Sequence, residues 1–319
     1  MARLGKTASA RSRCLPFLRA ALAAAALCIA PLAGAQAGFA FAAFGDTPYT
    51  REEEERFPDF IASLNREPLA FVVHVGDFKS AWSECSDEVF LERRQWFDLS
   101  HHPFIYVPGD NEWTDCTRAL AAARDPLERL QKLREVFFTG AASLGQRQMR
   151  LVRQSDAGDP RRHYPEHLRW EHEGVLFVTL NAPGPNNNVR MPEEHARRAA
   201  AIRDWLEQGF RLARARALRA VVVLTQADPW GASGRPRRGF AALVQTLAAQ
   251  ARKFPGEVLL VHGDSHRYRV DRPPRDPESG AALANFTRVG VFGSPEMNWV
   301  RVRVSEEAGR VRFEVTPGN

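Results

Sequence analysis

Four short apolar runs in this chain each end in a Gly-Asp pair, with helical stretches between them. The pairs are Gly45-Asp46 after residues 39–44, Gly76-Asp77 after 69–75, Gly109-Asp110 after 104–107 and Gly263-Asp264 after 258–261. Apolar runs of this length, rich in Val, Ile and Phe, read as buried strands. Strands that alternate with helices build a layered α/β domain. Loops leaving the carboxyl ends of such strands gather at one sheet edge, where open α/β sheets place their ligands. A fifth strand-like run, residues 219–224, delivers Gln226-Ala227-Asp228 to the same edge. Any one Gly-Asp pair is explained by a plain turn. Four in alternation with helices point to a shared site. Acidic, amide and imidazole groups crowded there would repel one another unless a cation joined them.

Between these loops the spacing predicts a helix over 51–64, with Pro58 as a potential breaking point, and another over 118–138 with a kink at Pro126. Residues 143–159 are polar and read as an outward loop. A strand is expected at 175–180, a long amphipathic helix at 192–216 and a further helix at 240–254. Strands are expected at 286–292, 299–304 and 311–315. No repeat and no linker interrupts the chain, so residues 38–319 are expected to form a single domain.

The first 37 residues have a different character. Arg3, Lys6, Arg11, Arg13 and Arg19 form a basic leader without acids, followed by an alanine-dominated apolar stretch and small residues suited to signal peptidase. This is the pattern of a secretory signal peptide, and it predicts export to the periplasm or the medium with no stable membrane span afterwards. Five of the 44 basic residues lie in the leader, leaving 39 against 38 acidic ones. The net charge of +6 is therefore mostly a targeting signal, and no nucleic-acid partner is predicted. Cys14 and Cys28 leave with the leader. Cys85 and Cys116 remain, and in an exported protein they are most simply one disulfide joining two of the Gly-Asp loops.

In order, the motifs resemble the calcineurin-like metallophosphoesterase superfamily, which includes purple acid phosphatases and cyclic-nucleotide phosphodiesterases. Its pattern reads Asp-x-His, Gly-Asp, Gly-Asn-His-Asp/Glu, a His, then Gly-His-x-His. Gly45-Asp46, Gly76-Asp77, Gly109-Asp110-Asn111-Glu112, Gln226 and Gly263-Asp264-Ser265-His266 occupy those places, a span from Phe44 to His266. The resemblance implies a layered sandwich of two mixed β-sheets flanked by helices. It also implies one or two divalent metal ions, among Mn, Mg, Ca, Fe and Zn, and a small phosphorylated substrate. The implied metal set is Asp46, Asp77, Asp110, Asn111, Gln226, Asp264 and His266, with Asp77 shared between two positions.

The chain departs from the pattern at several points. Pro48 replaces the first His, with Tyr49 beside it. Either Asp110 or Asn111 stands for the amide ligand, and Asn111 also falls where many members keep a His thought to protonate the leaving group. Gln226 and Asp264 replace two further His residues. The donors shift from nitrogen to oxygen, which favours hard cations such as Mg²⁺, Mn²⁺ or Ca²⁺. Asn111 and His262 are the catalytic candidates, with His74 beside them. Asn187, in the run Asn186-Asn187-Asn188, and Arg267 are candidates for binding substrate oxygens. The expected activity is metal-dependent hydrolysis of phosphate mono- or diesters. The alternative is a secreted metal- or ligand-binding protein that keeps the fold without catalysis. No Gly-x-Ser-x-Gly elbow, His-Glu-x-x-His helix or Gly-rich phosphate loop with Lys is present to support other hydrolases.

Overall fold

The apolar runs form strands whose side chains alternate between two cores. Strand β7 (Ala220–Thr225) turns Val222 and Leu224 toward one core and Val221 and Val223 toward the other. Strand β8 (Glu257–His262) does the same with Leu259 and Val261 against Val258 and Leu260. Burial on both faces is why these strands read as continuous apolar runs rather than alternating ones. A computed structural model describes residues 38–118, 123–157, 163–231, 235–273 and 280–318. The leader expected over residues 1–37 lies outside the described residues.

Two mixed sheets carry the chain. The first comprises β1 (Phe39–Phe44), β2 (Val72–His74), β3 (Phe104–Tyr106), β11 (Val300–Glu307) and β12 (Arg310–Pro317), in the order β12-β11-β1-β2-β3. The second adds to β7 and β8 the strands β4 (Val152–Arg153), β5 (Leu168–His172), β6 (Val175–Leu180), β9 (Arg269–Asp271) and β10 (Phe286–Gly290), in the order β4-β5-β6-β7-β8-β10-β9. The site-bearing strands β1, β2 and β3 are mutually parallel, as are β6, β7 and β8. Phe41, Phe71, Trp170 and Phe177 pack between the sheets. Helices α1 (Arg51–Leu64), α2 (Asp87–Phe97) and α3 (Pro126–Phe137) join that core through Phe57, Phe90, Phe97 and Leu133. On the outer face of the second sheet, α4 (Pro192–Ala215) and α5 (Ala241–Lys253) contribute Trp205, Phe210 and Leu247. Among the described residues, no helix is long and apolar enough to cross a membrane.

Three local expectations change. Helix α1 runs unbroken through Pro58, held at its start by a reciprocal box between Thr50 and Glu53. Proline begins α3 instead of kinking a longer helix. Pro126 lacks the N–H that the first turn leaves unused, and the Asp125 carboxylate caps Leu127 N and Glu128 N. Residues 143–153 loop out only in part: residues 146–148 are exposed, but Leu144 and Leu151 are buried at either side and Leu144 exchanges backbone bonds with Phe104. Helix α2 lacks a clear apolar period, since its buried face includes Arg93 beside Phe90 and Phe97. Arg93 is satisfied there by Glu54, Glu92 and the carbonyl of Phe78.

Two buried histidines contribute to the pH dependence of stability. Burial lowers both His74 and His167 to about 4. Between the ordinary value of about 6.5 and about 4, the unfolded chain binds protons that the folded chain refuses. The histidines' own contribution to stability therefore falls as pH drops through that window, by about 3 kcal/mol each, while any buried carboxylate whose pKa is raised contributes with the opposite sign. Urea unfolding of the wild type and of His167→Gln at a series of pH values isolates this contribution: the difference between the two should grow as pH falls through the window. A slope unchanged by that substitution would contradict the assignment.

Candidate metal centre

The carboxyl ends of β1, β2 and β3 meet those of β6, β7 and β8, and the expected loops converge there. Asp46, Asp77, Asp110, Asn111 and Gln226 are buried, while Asp264 and His266 are half-buried. The backbone turns at the aspartates themselves: φ is 52° at Asp46, 60° at Asp77 and 64° at Asp264, in the left-handed region that Asp tolerates. Two of the glycines before them serve close approach instead. A Cβ on Gly109 would stand 2.0 Å from Asp77 Oδ1, and one on Gly263 would stand 2.3 Å from Asp46 Oδ2.

Hydrogen bonds lock most of the cluster. Asp46 accepts the Asp264 N–H at 3.0 Å on each carboxylate oxygen. Asp77 Oδ1 accepts Asn111 N–H at 2.9 Å, and Oδ2 accepts Gln226 Nε2 at 2.9 Å and the Tyr49 hydroxyl at 3.2 Å. Glu112 Oε1 gathers three donors, Asp77 N, Gly109 N and the Tyr106 hydroxyl. Among the described residues, the buried Asp110 Oδ1 has no hydrogen-bond partner. A Cβ built on Gly184 would lie 2.9 Å from that atom and 2.8 Å from Asp264 Oδ1, so both oxygens border one small space beside the Gly184 backbone.

Burial, and then the neighbouring carboxylates, push Asp46, Asp77 and Asp110 well above the ordinary range. Burial also raises Asp264, against the pull of Arg237, whose guanidinium lies 3.9 Å from Asp264 Oδ2. These groups would share protons or share a cation. Lys79 supplies a buried positive charge nearby. Burial lowers its ammonium to about 8, while Glu112 and Asp77 pull it back up, and its Nζ donates to Ser80 O at 2.8 Å.

The oxygen-rich donors fit a hard cation better than an imidazole-rich centre would. Asp110 Oδ1 and Asp264 Oδ1 offer oxygens at one place, with Asp46 adjoining through Asp264. Among the described residues, no three His, Cys, Asp or Glu side chains already converge as a metal cage. Binding there would draw these carboxylates together. His266 Nδ1 faces the Ser294 carbonyl at 2.7 Å, so in the neutral ring that nitrogen carries the proton. The Nε2 lone pair is then left facing Asp46 Oδ1 at 3.5 Å.

Other candidates stand elsewhere. His262 is buried, donates to Gly263 O, and is lowered by burial and raised by Asp228, a residue paired with Arg288 rather than with the cluster. His74 is satisfied by Thr47 O and Gly76 N within the core. Asn187 turns inward onto Arg198 and Gly239 O, so it does not line the cleft. Arg267 is exposed. Trp113, Trp230 and Trp299 are core residues with arginines over their rings. Cys85 and Cys116 are bonded, with Cα atoms 5.8 Å apart, and both sulfurs lie against the Asn111 carbonyl. Tyr49, Glu112 and Gly184 belong to the site as well. The sequence signals for the first two are their places inside the Gly-Asp motifs; Gly184 has none beyond following β6.

No family model matches the chain, and no curated protein matches it. Among solved structures, PhoD superposes with a TM-score of 0.48 at 11% identity, over 87% of this chain and 68% of that one. Purple acid phosphatase PPD1 from yellow lupin (Lupinus luteus) seeds gives 0.49 at 12% identity, over 87% and 51%. The chain thus spans about half the length of that phosphatase. Vacuolar Protein Sorting 29 from Cryptosporidium parvum gives 0.32 at 12% identity, over 88% and 98%. At these similarities the chemistry of the site has to be argued from its own residues.

Proposed function

We propose that this chain is an exported phosphoesterase that depends on a divalent cation and hydrolyses phosphate mono- or diesters. One observation carries the reading. Among the described residues, Asp110 Oδ1 is a buried carboxylate oxygen without a hydrogen-bond partner, set beside Asp264 in a cluster of four carboxylates from four strand ends. Such a cluster is costly without a cation, and oxygen donors select Mg²⁺, Mn²⁺ or Ca²⁺. A cation bound there would polarise a phosphoryl oxygen and lower the pKa of a water molecule. Asp110 and Asp264 would hold it, with Asp46 behind them. Arg237, partly exposed beside Asp264, is placed to meet an incoming anionic ester. His266 turns its Nε2 toward the Asp46 side of the cluster, 3.5 Å from Oδ1. The leader and the Cys85–Cys116 disulfide support export to an oxidising compartment.

Turnover of p-nitrophenyl phosphate or bis(p-nitrophenyl) phosphate with added Mn²⁺ or Mg²⁺, from about pH 5 to pH 9, tests this reading. Asp110→Asn keeps the shape but removes the charge, and should lower that activity by about 100-fold. No turnover under any of these conditions would sink the enzymatic reading. A second reading, a cation-binding protein without catalysis, is favoured by Asn111. It spends both amide hydrogens on Lys79 O and the Tyr49 oxygen, which leaves it no proton for a leaving group. A bound cation without turnover would select it.

A further inference from the structure

Asp77 sits at the middle of a chain of hydrogen bonds whose polarity is forced from both ends. At one end, Asn111 Nδ2 donates to the Lys79 carbonyl at 3.1 Å, and a carbonyl can only accept. That fixes the nitrogen, which also donates to the Tyr49 oxygen at 2.9 Å. The Tyr49 proton is then free to go to Asp77 Oδ2 at 3.2 Å, with Asp46 Oδ1 at 3.5 Å on its other side. At the other end, the Gly184 N–H donates to Gln226 Oε1 at 2.7 Å, and a backbone N–H can only donate. The Gln226 amide nitrogen must therefore face Asp77 Oδ2, as it does at 2.9 Å. Both amides thus have assigned orientations rather than interchangeable ones.

We infer that Tyr49 and Gln226 are built-in replacements for a cation between Asp46 and Asp77, so the chain takes one divalent ion at the Asp110–Asp264 edge and not a shared pair. A cation there would have to bind Asp46 and Asp77 oxygens at about 2.0–2.6 Å. The Tyr49 hydroxyl lies between the same two carboxylates, with its one proton directed to Asp77 Oδ2, and the amide of Gln226 turns hydrogens, not its oxygen, toward Asp77. Asp77 Oδ1 is taken by the Asn111 N–H. Three donors on one carboxylate do the work that a metal would do electrostatically. Asp77 is on this view a positioning residue that holds the β2, β3 and β7 loops together. The inference rests on the cation-binding reading of the Asp110–Asp264 edge.

Calorimetric titration of the metal-free protein with Mn²⁺ tests it. The wild type should bind one ion, and Gln226→Glu, at about pH 8 where the new group is ionised, should bind one more than the wild type. Tyr49→Phe removes a single oxygen and serves the same titration if the first variant does not fold. In EDTA its Tm should also fall by about 5 °C, and Mn²⁺ should restore it. Two ions on the wild type, or no additional ion on a folded variant, would overturn the inference. No ion on the wild type but one on the variant would sink the proposed function while upholding the replacement.

Discussion

Replacing Arg198 with methionine is expected to destabilise the protein by about 3–5 kcal/mol and to loosen the loop that frames the acidic site. The Arg198 side chain is fully buried under the Trp113 ring. It donates to Asn181 O at 2.9 Å, to Asn187 O at 3.1 Å and to the Asn187 side chain, and it pairs with Glu194 at 2.7 Å. Asn186, Asn187 and Asn188 all have positive φ, so this stretch depends on being held. Among the described residues, loss of the guanidinium leaves the nearly buried Glu194 carboxylate with the Asn188 amide as its remaining side-chain partner. Breaking such a pair by removing one partner is the expensive case, because the other charge stays buried. Glu194→Gln added to the Arg198 substitution should recover part of the loss. Urea unfolding of the single and double variants measures both effects. A single-variant loss below about 1 kcal/mol would show that the loop does not depend on this pair.

Removing the disulfide is the second large effect. Cys85 and Cys116 are 31 residues apart, and closing a loop of that length restricts the unfolded chain by about 3–4 kcal/mol. The bridge joins the loop after β2, which carries Asp77, to the loop after β3, which carries Asp110 and Asn111. The double Cys→Ser variant should therefore lose both stability and rigidity at the site. Chemical denaturation measures the first, and a weaker Mn²⁺ titration reports the second. Normal stability in that variant would mean that the unfolded chain is already compact over this segment.

Much of the fold was legible in the sequence because it is written in local periods. Apolar runs such as 219–224 and 258–261 had nowhere to go but a strand buried on two faces. The helices at α1, α4 and α5 followed from apolar spacing and polar outer faces. Helix α2 was not legible, because its buried face holds an arginine whose partners come from α1 and from the Phe78 backbone. The anchoring of the 143–153 loop by Leu144 and Leu151 was hidden for a similar reason: two leucines in a polar stretch carry little weight until Phe104 is beside them.

The sequence by itself determined which strand ends would carry Asp46, Asp77, Asp110, Gln226 and Asp264, since a Gly-Asp step after a buried strand is a local property. Only the tertiary structure decided what those groups do to one another. Gln226 and Asp77 are 149 residues apart, and the direction of their hydrogen bond is set by Gly184, from a third loop. Tyr49 reaches Asp77 because Asn111 supplies its other hydrogen bond. Asn187 left the cleft because Arg198, eleven residues along the chain, offered its buried amide a better partner. A side chain's type can be read locally. Its donor or acceptor role depends on which backbone groups stand at the other end of the chain of hydrogen bonds, and that is fixed only when the two sheets come together.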